Sequence, residues 1–395
     1  MLQPQSYPQY IKYMGSKSKL ISFVIEAINT AYDGGGICDL FAGSCSLSGA
    51  LRGQVDILSN DIQAYSGVIS HAYLTAWKEP EIPQGHELVE QAQLLVANNA
   101  QRYGINFTYD KVRSIKQFNT IESQSRDFIS KHYDSPYHLF TKYYSGTWWS
   151  AEQCLWIDAL KEVADRYQNS SFYNLILSSV MYAMAYCSQG TGHYAQYRDA
   201  KSKSSLDDIL TYRKREFSSY FLTKYNSSIT TLPDSPPIYN HEITSLDYVE
   251  RLNTLPKCTI YADPPYCFVH YSRFYHAIET LVLYDYPEIQ LRGGKCVKGR
   301  YRVDRHQSPF CIKSKVRDAF KQLFDGVKHS NSNLVLSYSN TGMIELKDLR
   351  ALMKKSMAQY SFSERVMDHD HMTMGRQGDR TRKVKELLLI AKRYD

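Results

Sequence analysis

A carboxylate, two prolines and an aromatic ring stand together at Asp263-Pro264-Pro265-Tyr266, directly after the apolar run 258–262. Consecutive prolines stiffen the backbone and remove two N–H donors, which leaves carbonyl groups facing outward. Asp263 and the Pro264 carbonyl then match the two hydrogens of an exocyclic amine, and the Tyr266 ring can stack on the base that carries it. A plain turn is the alternative, but α/β sheets bind ligands at the carboxyl ends of their strands.

A glycine turn and a later acid form a second pattern. Asp39-Leu40-Phe41-Ala42-Gly43-Ser44-Cys45 follows a short apolar run, and Asp61 ends the next one. No Gly-Lys-Ser/Thr follows, which excludes a phosphate-binding P-loop, and the dinucleotide fingerprint is not matched. An acid about 20 residues after such a turn binds ribose hydroxyls in doubly wound sheets. The turn alone could be a strand-to-helix connection, but together with Asp61 it favours a ribose-binding site.

These residues need a parallel sheet to bring them together. The order of strand, glycine turn, helix and strand over residues 37–59 predicts the start of an α/β sheet. Strands resume at 258–262 and 333–338, and 363–374 with 384–392 predict a C-terminal β-hairpin around a polar turn. Residues 76–240 have helical periodicity, and Ser150 with Gln153 predicts a capping box. We therefore expect a catalytic domain formed by 1–75 and 241–395, interrupted by an inserted helical domain at 76–240.

Composition narrows the class of protein without identifying it. The chain has 395 residues, a formal net charge of +7 and 33 tyrosines, which permits nucleic-acid binding but does not require it. Its eight cysteines include no Cys-x-x-Cys pair, so we expect free thiols, no metal site and a cytoplasmic protein. The N-terminus lacks the pattern of a signal peptide, and the uncharged segment 171–193 is too polar for a membrane span.

Four motifs in this order resemble the Dam-like, alpha-ordered family of adenine-specific DNA methyltransferases. They are the basic turn 10–17 (YIKYMGSK), the 39–45 loop, the acid Asp61 and the tetrapeptide 263–266, with a long central region before the last. The resemblance covers about residues 10–65 and 255–395. It implies a Rossmann-like methyltransferase sheet, an inserted target-recognition domain and S-adenosylmethionine as the cofactor.

The resemblance also implies a role for each motif residue. Tyr13 would contact the cofactor and Lys17 its carboxylate, while Asp39, Phe41 and Gly43 would lie along it and Asp61 would hold its ribose. Asp263 with the Pro264 carbonyl would hold the target amine, Pro265 would belong to the same catalytic tetrapeptide, and Tyr266 would stack on an adenine flipped out of the duplex. One position departs from the family pattern, because Cys45 replaces the second glycine of the cofactor loop. This puts the loop backbone geometry in doubt.

Two other segments are predicted to contact double-stranded DNA. By analogy with the central domain of the family, His193, Gln196 and Arg198 in the 190–198 loop would read bases or bind phosphates, although a structural loop remains the alternative. A basic insertion, residues 267–307, follows the tetrapeptide and contains Arg300, Arg302 and Arg305. These arginines would bind phosphates beside the flipped base, unless the insertion is a solvated surface loop.

Several other functions remain open from the sequence. Methylation of a cytosine amine is the closest, although such enzymes tend to carry Ser in place of Asp263. Protein or RNA amine methylation could use a similar cofactor loop, and a DNA-binding subunit could have lost catalysis. The recognised DNA sequence is not predicted, and the resemblance leaves room for a cognate restriction endonuclease as a partner.

Overall fold

The protein is built around a central β-sheet, in a computed structural model that describes residues 1–106, 108–190, 192–266, 268, 270–372 and 381–394. The strands in these ranges are β1 (Gly36–Asp39), β2 (Ile57–Asn60), β3 (His241–Thr244), β4 (Cys258–Ala262), β5 (Leu291–Arg292), β6 (Lys295–Cys296), β7 (Asn333–Ser339), β8 (Tyr360–Met372) and β9 (Thr381–Arg393). Seven of them pair in the order β3-β2-β1-β4-β7-β9-β8, and β5 and β6 form a separate small hairpin.

The pairing confirms the predicted doubly wound, Rossmann-like sheet. Strands β3, β2, β1, β4 and β7 are parallel, and the hairpin β8–β9 adds two antiparallel strands at one edge. The strand order reverses between β1 and β4, and ligands of open α/β sheets bind at such a reversal. The C-terminal hairpin is therefore confirmed, although most of its predicted turn falls on 373–380, outside the described residues.

Both faces of the sheet are covered. Alternation along β1 directs Ile37 into one hydrophobic cluster and Cys38 into the other. The first cluster includes Val24 and Ile28, and the second includes Phe320. Burial on two faces explains why β1, β4 and β7 read as nearly continuous apolar runs in the sequence.

Helices supply these layers. They are α1 (Ile21–Ala31), α2 (Ser46–Leu51), α3 (Ala64–Leu74), α4 (Gly85–Tyr103), α5 (Ile115–Arg126), α6 (Leu139–Tyr144), α7 (Ala151–Asp165), α8 (Phe172–Cys187), α9 (Lys203–Arg213), α10 (Phe217–Ile229), α11 (Tyr248–Thr254), α12 (Tyr271–Phe274), α13 (His276–Leu283), α14 (Val316–His329) and α15 (Leu346–Ser356). No helix in the described ranges is long and apolar enough to cross a membrane.

The helical character of the central region is confirmed, since α4 to α10 all lie between residues 85 and 229. The capping box predicted at α7 is present, with the Ser150 and Gln153 side chains each bonded to the backbone of the other residue. Trp149 and other side chains of this region belong to the same hydrophobic cluster as the α1 face of the sheet. The helical region thus packs directly on the sheet, and the domain boundaries at 75 and 241 stay predictions.

Seven cysteines lie among the described residues, and no disulfide bond joins any two of them. Six of them are buried and Cys296 is partly exposed, whereas Cys267 lies outside the described residues. This agrees with the free thiols that their spacing predicts.

Candidate active site

A single cavity opens at the carboxyl ends of β1, β2 and β4, where the strand order reverses. Every residue predicted for catalysis or cofactor binding lines it, although they are far apart in the chain. These residues are Tyr13, Lys17, Asp39, Phe41, Gly43, Asp61, Asp263, Pro264, Pro265 and Tyr266. The sheet therefore brings all four sequence motifs to one place.

Asp61 and the glycine loop are joined by hydrogen bonds. The Asp61 carboxylate accepts the backbone N–H of Gly43 at 2.9 Å and that of Gln63 at 2.9 Å. Gly43 has a φ of 53°, and a Cβ there would lie 2.8 Å from the Tyr13 hydroxyl oxygen. Only glycine fits this backbone, because the positive φ and the close approach of Tyr13 both disfavour a side chain.

The backbone of the cofactor loop keeps its conformation at Cys45, where the family pattern has glycine. Cys45 has a φ of 57° and a ψ of 33°, so the backbone keeps the left-handed conformation that glycine adopts most easily. Its buried thiol lies 3.1 Å from the Ser66 carbonyl oxygen and 3.1 Å from the Ser70 hydroxyl. These contacts hold the cysteine in a conformation that is costly for a residue with a Cβ.

Three carboxylates line the cavity floor close to one another. Burial raises the pKa of Asp39 well above its usual range, and the neighbouring Asp263 and Asp61 raise it further. Burial also raises the pKa of Asp61 to about 6, against the opposing effect of its hydrogen bonds from Gln63 and Gly43. Such a floor disfavours additional negative charge and favours a cationic ligand.

Lys17 forms two ion pairs at the cavity. Its ammonium nitrogen lies 3.2 Å from Asp263 Oδ2 and 3.0 Å from Glu386 Oε1, and all three side chains are largely buried. Lys17 also lines the cavity, and its contact with a cofactor carboxylate stays a prediction. Burial alone would lower the pKa of Lys17, but Asp263 and the other groups around the ammonium raise it well above its usual range.

The tetrapeptide follows β4 immediately, as its position in the sequence predicts. Burial raises the pKa of Asp263, and Lys17 opposes that shift. The Tyr266 ring packs edge to face on Tyr338 at 5.4 Å between centroids, and Lys17 Nζ lies 5.6 Å from the Tyr266 centroid. The Phe41 ring lies against Phe310, and Phe41 and Tyr266 pack against the same hydrophobic cluster. Aromatic rings and acceptors thus face one space.

The two predicted DNA-contacting segments are packed against each other. His193 stacks on Phe274 at 4.6 Å between ring centroids, and Tyr194 N–H donates to the Phe274 carbonyl at 2.7 Å. The Tyr301 hydroxyl donates to the Ala195 carbonyl. Gln196 and Arg198 remain exposed, and Arg198 pairs with Asp208 at 2.6 Å.

The basic insertion differs from the exposed phosphate-binding loop that we predicted. Arg300 and Arg302 are only 6% and 8% exposed, and Arg302 forms two hydrogen bonds with the Asp285 carboxylate, at 2.8 and 2.6 Å. Arg302 therefore holds the insertion together through its pair with Asp285, and Arg300 is buried and not exposed to solvent. Arg305 is half-buried, and its guanidinium lies 5.4 Å from the Tyr301 ring centroid. The insertion contains the short antiparallel hairpin of β5 and β6.

Two residues near the cavity were missed by sequence reasoning. Glu386 belongs to the C-terminal hairpin and reaches Lys17, and no motif marks it. Arg273 follows the tetrapeptide on α12 and lies 5.1 Å from the Tyr301 ring centroid, opposite Arg305. The sequence signal that could have identified Arg273 is its position shortly after the tetrapeptide, in the same basic insertion as Arg305. Among the described residues, no group of His, Cys, Asp and Glu is arranged to hold a metal ion.

The fold and the cavity together define a Rossmann-like methyltransferase domain. Residues 13–352 match the model of the D12 class N6 adenine-specific DNA methyltransferases. The chain belongs to this family, which confirms the resemblance seen in the four motifs.

Similar proteins include three bacterial modification enzymes. The chain is 24% identical over 354 residues to modification methylase LlaI of Lactococcus lactis subsp. lactis, and 25% identical over 355 residues to type II methyltransferase M.FokI of Planomicrobium okeanokoites. It is 20% identical over 352 residues to modification methylase StsI of Streptococcus sanguinis. Each match covers 87% of this chain but 49%, 47% and 46% of the relative, respectively. The chain spans about half the length of the relatives that it matches.

The strained backbone at Cys45 leads to a prediction about stability. Cys45→Ala loses the thiol contacts and keeps the left-handed strain, whereas Cys45→Gly loses the contacts but relieves roughly 1–2 kcal/mol of strain. We expect the glycine variant to be more stable than the alanine variant by about 1 kcal/mol in urea unfolding. Ala50→Gly, in helix α2, is the control and should show the usual loss of about 1 kcal/mol. An alanine variant at least as stable as the glycine variant would contradict the strain.

Proposed function

We propose that this chain transfers a methyl group from S-adenosylmethionine to the exocyclic N6 amine of adenine in double-stranded DNA. The observation that carries this proposal is that the tetrapeptide acceptors and the Gly43–Asp61 pair open into the same cavity. Family membership supports adenine as the target base. The similarity to modification methylases further supports a role beside a restriction endonuclease.

The cavity suits S-adenosylmethionine in its hydrogen-bond acceptors, its charge and its apolar walls. The Gly43 backbone and the Tyr13 ring approach each other closely in the cavity wall, and the Asp61 carboxylate oxygens keep acceptor capacity for ribose hydroxyls beyond the two backbone N–H groups that they accept. The carboxylates of Asp39 and Asp61 complement the positive sulfonium and ammonium groups of the cofactor. Tyr13 and Phe41 supply the apolar walls, so these residues would hold the cofactor. When bound, it supplies an electrophilic methyl group.

Asp263 and the Pro264 carbonyl act on the other substrate. An adenine amine is unreachable inside a duplex, so the base leaves the stack at a cost of a few kcal/mol and stacks on the Tyr266 ring. The two acceptors orient the amine and favour electron density on its nitrogen. They also stabilise the positive charge that develops on that nitrogen, because fixed acceptors in a partly dehydrated site need little reorganisation.

DNA would lie across the 190–198 loop and the insertion, which contact each other through His193, Tyr194 and Ala195. His193, Gln196 and Arg198 remain our candidates for base or phosphate contacts on the loop side. On the insertion side, Arg305 and Arg273 flank Tyr301, next to the cavity-lining His270 and His306. Neither arginine has an acidic partner among the described residues, and Arg273 Nε is buried without a hydrogen bond in them. Two neighbouring cations of this kind favour a phosphate of the DNA backbone.

The catalytic role of Asp263 is tested by substitution. Asp263→Ala should abolish methylation of long, unmethylated DNA of mixed sequence, while binding of S-adenosylmethionine stays within a few-fold of the original, because the acceptor acts on the amine. Mass spectrometry of the digested nucleosides measures both the yield and the modified base. Near-normal N6-methyladenine from the variant would contradict the role of Asp263, and N4-methylcytosine from the unmodified protein would contradict adenine as the target.

Cofactor binding should depend on pH through Asp61. Its raised pKa, about 6, means that the carboxylate protonates as the pH falls through that value and loses acceptor capacity. Affinity measured by calorimetry should therefore be constant near pH 8 and weaken by up to about tenfold per pH unit below the Asp61 pKa. Asp61→Asn should cost about 1–3 kcal/mol at high pH and reduce the pH dependence. The role assigned to Asp61 does not survive a flat profile in the unmodified protein.

Arg273 and Arg305 should contribute to the salt dependence of DNA binding. Each lost phosphate contact lowers the slope of log K against log salt by about 0.9, so the double variant Arg273→Gln, Arg305→Gln should lower it by about 1.8. The loss should be similar on any DNA sequence, because phosphates carry no sequence information. Arg317→Gln with Lys321→Gln, on exposed positions of α14, removes the same charge as a control. Equal slopes for the two double variants would show that the salt dependence of DNA binding follows net charge alone, which would contradict phosphate contacts by Arg273 and Arg305.

A further inference from the structure

Glu386 is a buried acid that no sequence motif marks. It lies on β9, beyond the range 13–352 that matches the family, and its carboxylate is 3.0 Å from Lys17 Nζ. It also accepts a hydrogen bond from the Ser337 hydroxyl of β7. Because Lys17 contacts Asp263 as well, these side chains form a network that connects the C-terminal hairpin to the tetrapeptide.

The network contains more negative charge than the ammonium can neutralise. Lys17 would already be neutralised by Asp263 alone, and Asp39 lies close to the same carboxylate. A second buried carboxylate is costly, and an apolar side chain of similar volume is often as good or better for stability. The presence of Glu386 therefore suggests a purpose other than stabilising the fold.

Strand pairing gives no such purpose. The backbone of Glu386 pairs with Ser339 on β7 and with Met367 on β8, in a continuous antiparallel ladder. Those backbone bonds are the same for any side chain. The Glu386 carboxylate contacts Lys17 and Ser337 instead, so the role of this residue depends on its charged side chain and not on its backbone.

We propose that Glu386 is a positioning residue for amine methylation, which holds the Lys17 ammonium between two carboxylates so that Asp263 keeps acceptor capacity for the substrate amine. This inference rests on the proposed function. Without Glu386, the full attraction of the ammonium would fall on Asp263 and compete with the amine. With Glu386, the ammonium is shared and its position is fixed from both sides.

The same arrangement suits Asp263 to take up a proton. After methyl transfer the nitrogen carries an additional positive charge, and the neutral product forms when one N–H bond breaks and an O–H bond forms on Asp263. That proton then passes to solvent as the product leaves. Glu386 favours this step because its negative charge raises the pKa of Asp263, in addition to the larger effect of burial. Among the described residues, the other charged or titratable groups facing Asp263 are Lys17, Asp39, Tyr261 and Tyr271.

The test compares three variants of the chain by single-turnover methylation of unmethylated DNA across the pH range. Glu386→Gln keeps the size of the side chain and removes its charge, and Glu386→Asp keeps the charge at shorter reach. Lys385→Gln changes the neighbouring exposed residue on the same strand and serves as the control. Thermal unfolding of each variant reports on folding separately from catalysis.

For Glu386→Gln we expect the rate constant to fall about tenfold or more at neutral pH, a loss that belongs to the transition state. Affinity for S-adenosylmethionine and for DNA should stay within about twofold, because the acceptor end alone is changed. The acid limb of the pH profile should move to lower pH by about one unit, since removing a nearby negative charge lowers the pKa of Asp263. Glu386→Asp should recover part of the rate, and Lys385→Gln should match the unmodified protein.

Three results would overturn the inference. They are an unchanged rate and pH profile in Glu386→Gln, a loss of rate that only follows a loss of cofactor affinity, and a loss equal in Glu386→Gln and Lys385→Gln. Absence of methylation by the unmodified protein on any DNA would instead contradict the proposed function itself. The two failures are therefore distinguishable.

Discussion

One buried ammonium connects the parts of this cavity. Lys17 comes from the N-terminal turn, Asp263 from the end of β4 and Glu386 from the C-terminal hairpin, and their charged atoms lie within 3.2 Å of the ammonium. Buried carboxylates at such close range repel one another strongly, so Asp263 and Glu386 would destabilise the fold without the Lys17 ammonium between them. The ion pairs therefore link three distant segments of the chain at the point where the sheet reverses its strand order.

Much of this arrangement could be predicted because it depends on local rules. Sheet topology predicts a ligand site where a strand ends in Asp-Pro-Pro-Tyr. It predicts the same for an acid placed after a glycine turn. The carboxyl ends of parallel strands lie at one edge, so Asp61 and Asp263 could be placed together without knowledge of their contacts. The same holds for α1, β4 and the capping box of α7, where the pattern of apolar and polar residues fixes the element.

The rest depends on contacts between residues far apart in the chain. Charge in the sequence suggested that Arg300 and Arg302 face DNA, but Asp285 lies where it pairs with Arg302, and no spacing rule connects those positions. Glu386 reads as one polar residue in a strand of alternating pattern, and only the register of β9 on β7 directs it toward Lys17. The strand β3 was missed because His241–Thr244 is short and only partly buried. Sequence patterns therefore predicted the elements and motifs better than the partners of individual charges.

The contacts between the 190–198 loop and the insertion have a consequence for DNA recognition. His276 Nε2 lies 2.9 Å from the Tyr194 carbonyl oxygen, and Lys298 pairs with Asp199, so the loop is held to α13 and to the segment after β6. The same insertion begins directly after the tetrapeptide that would receive the flipped base. Movement of the loop on bound DNA would therefore act on the insertion through these packed side chains. In the proposed enzyme, base reading and base capture would belong to one connected surface, because the contacts that join its two halves are already made within the chain.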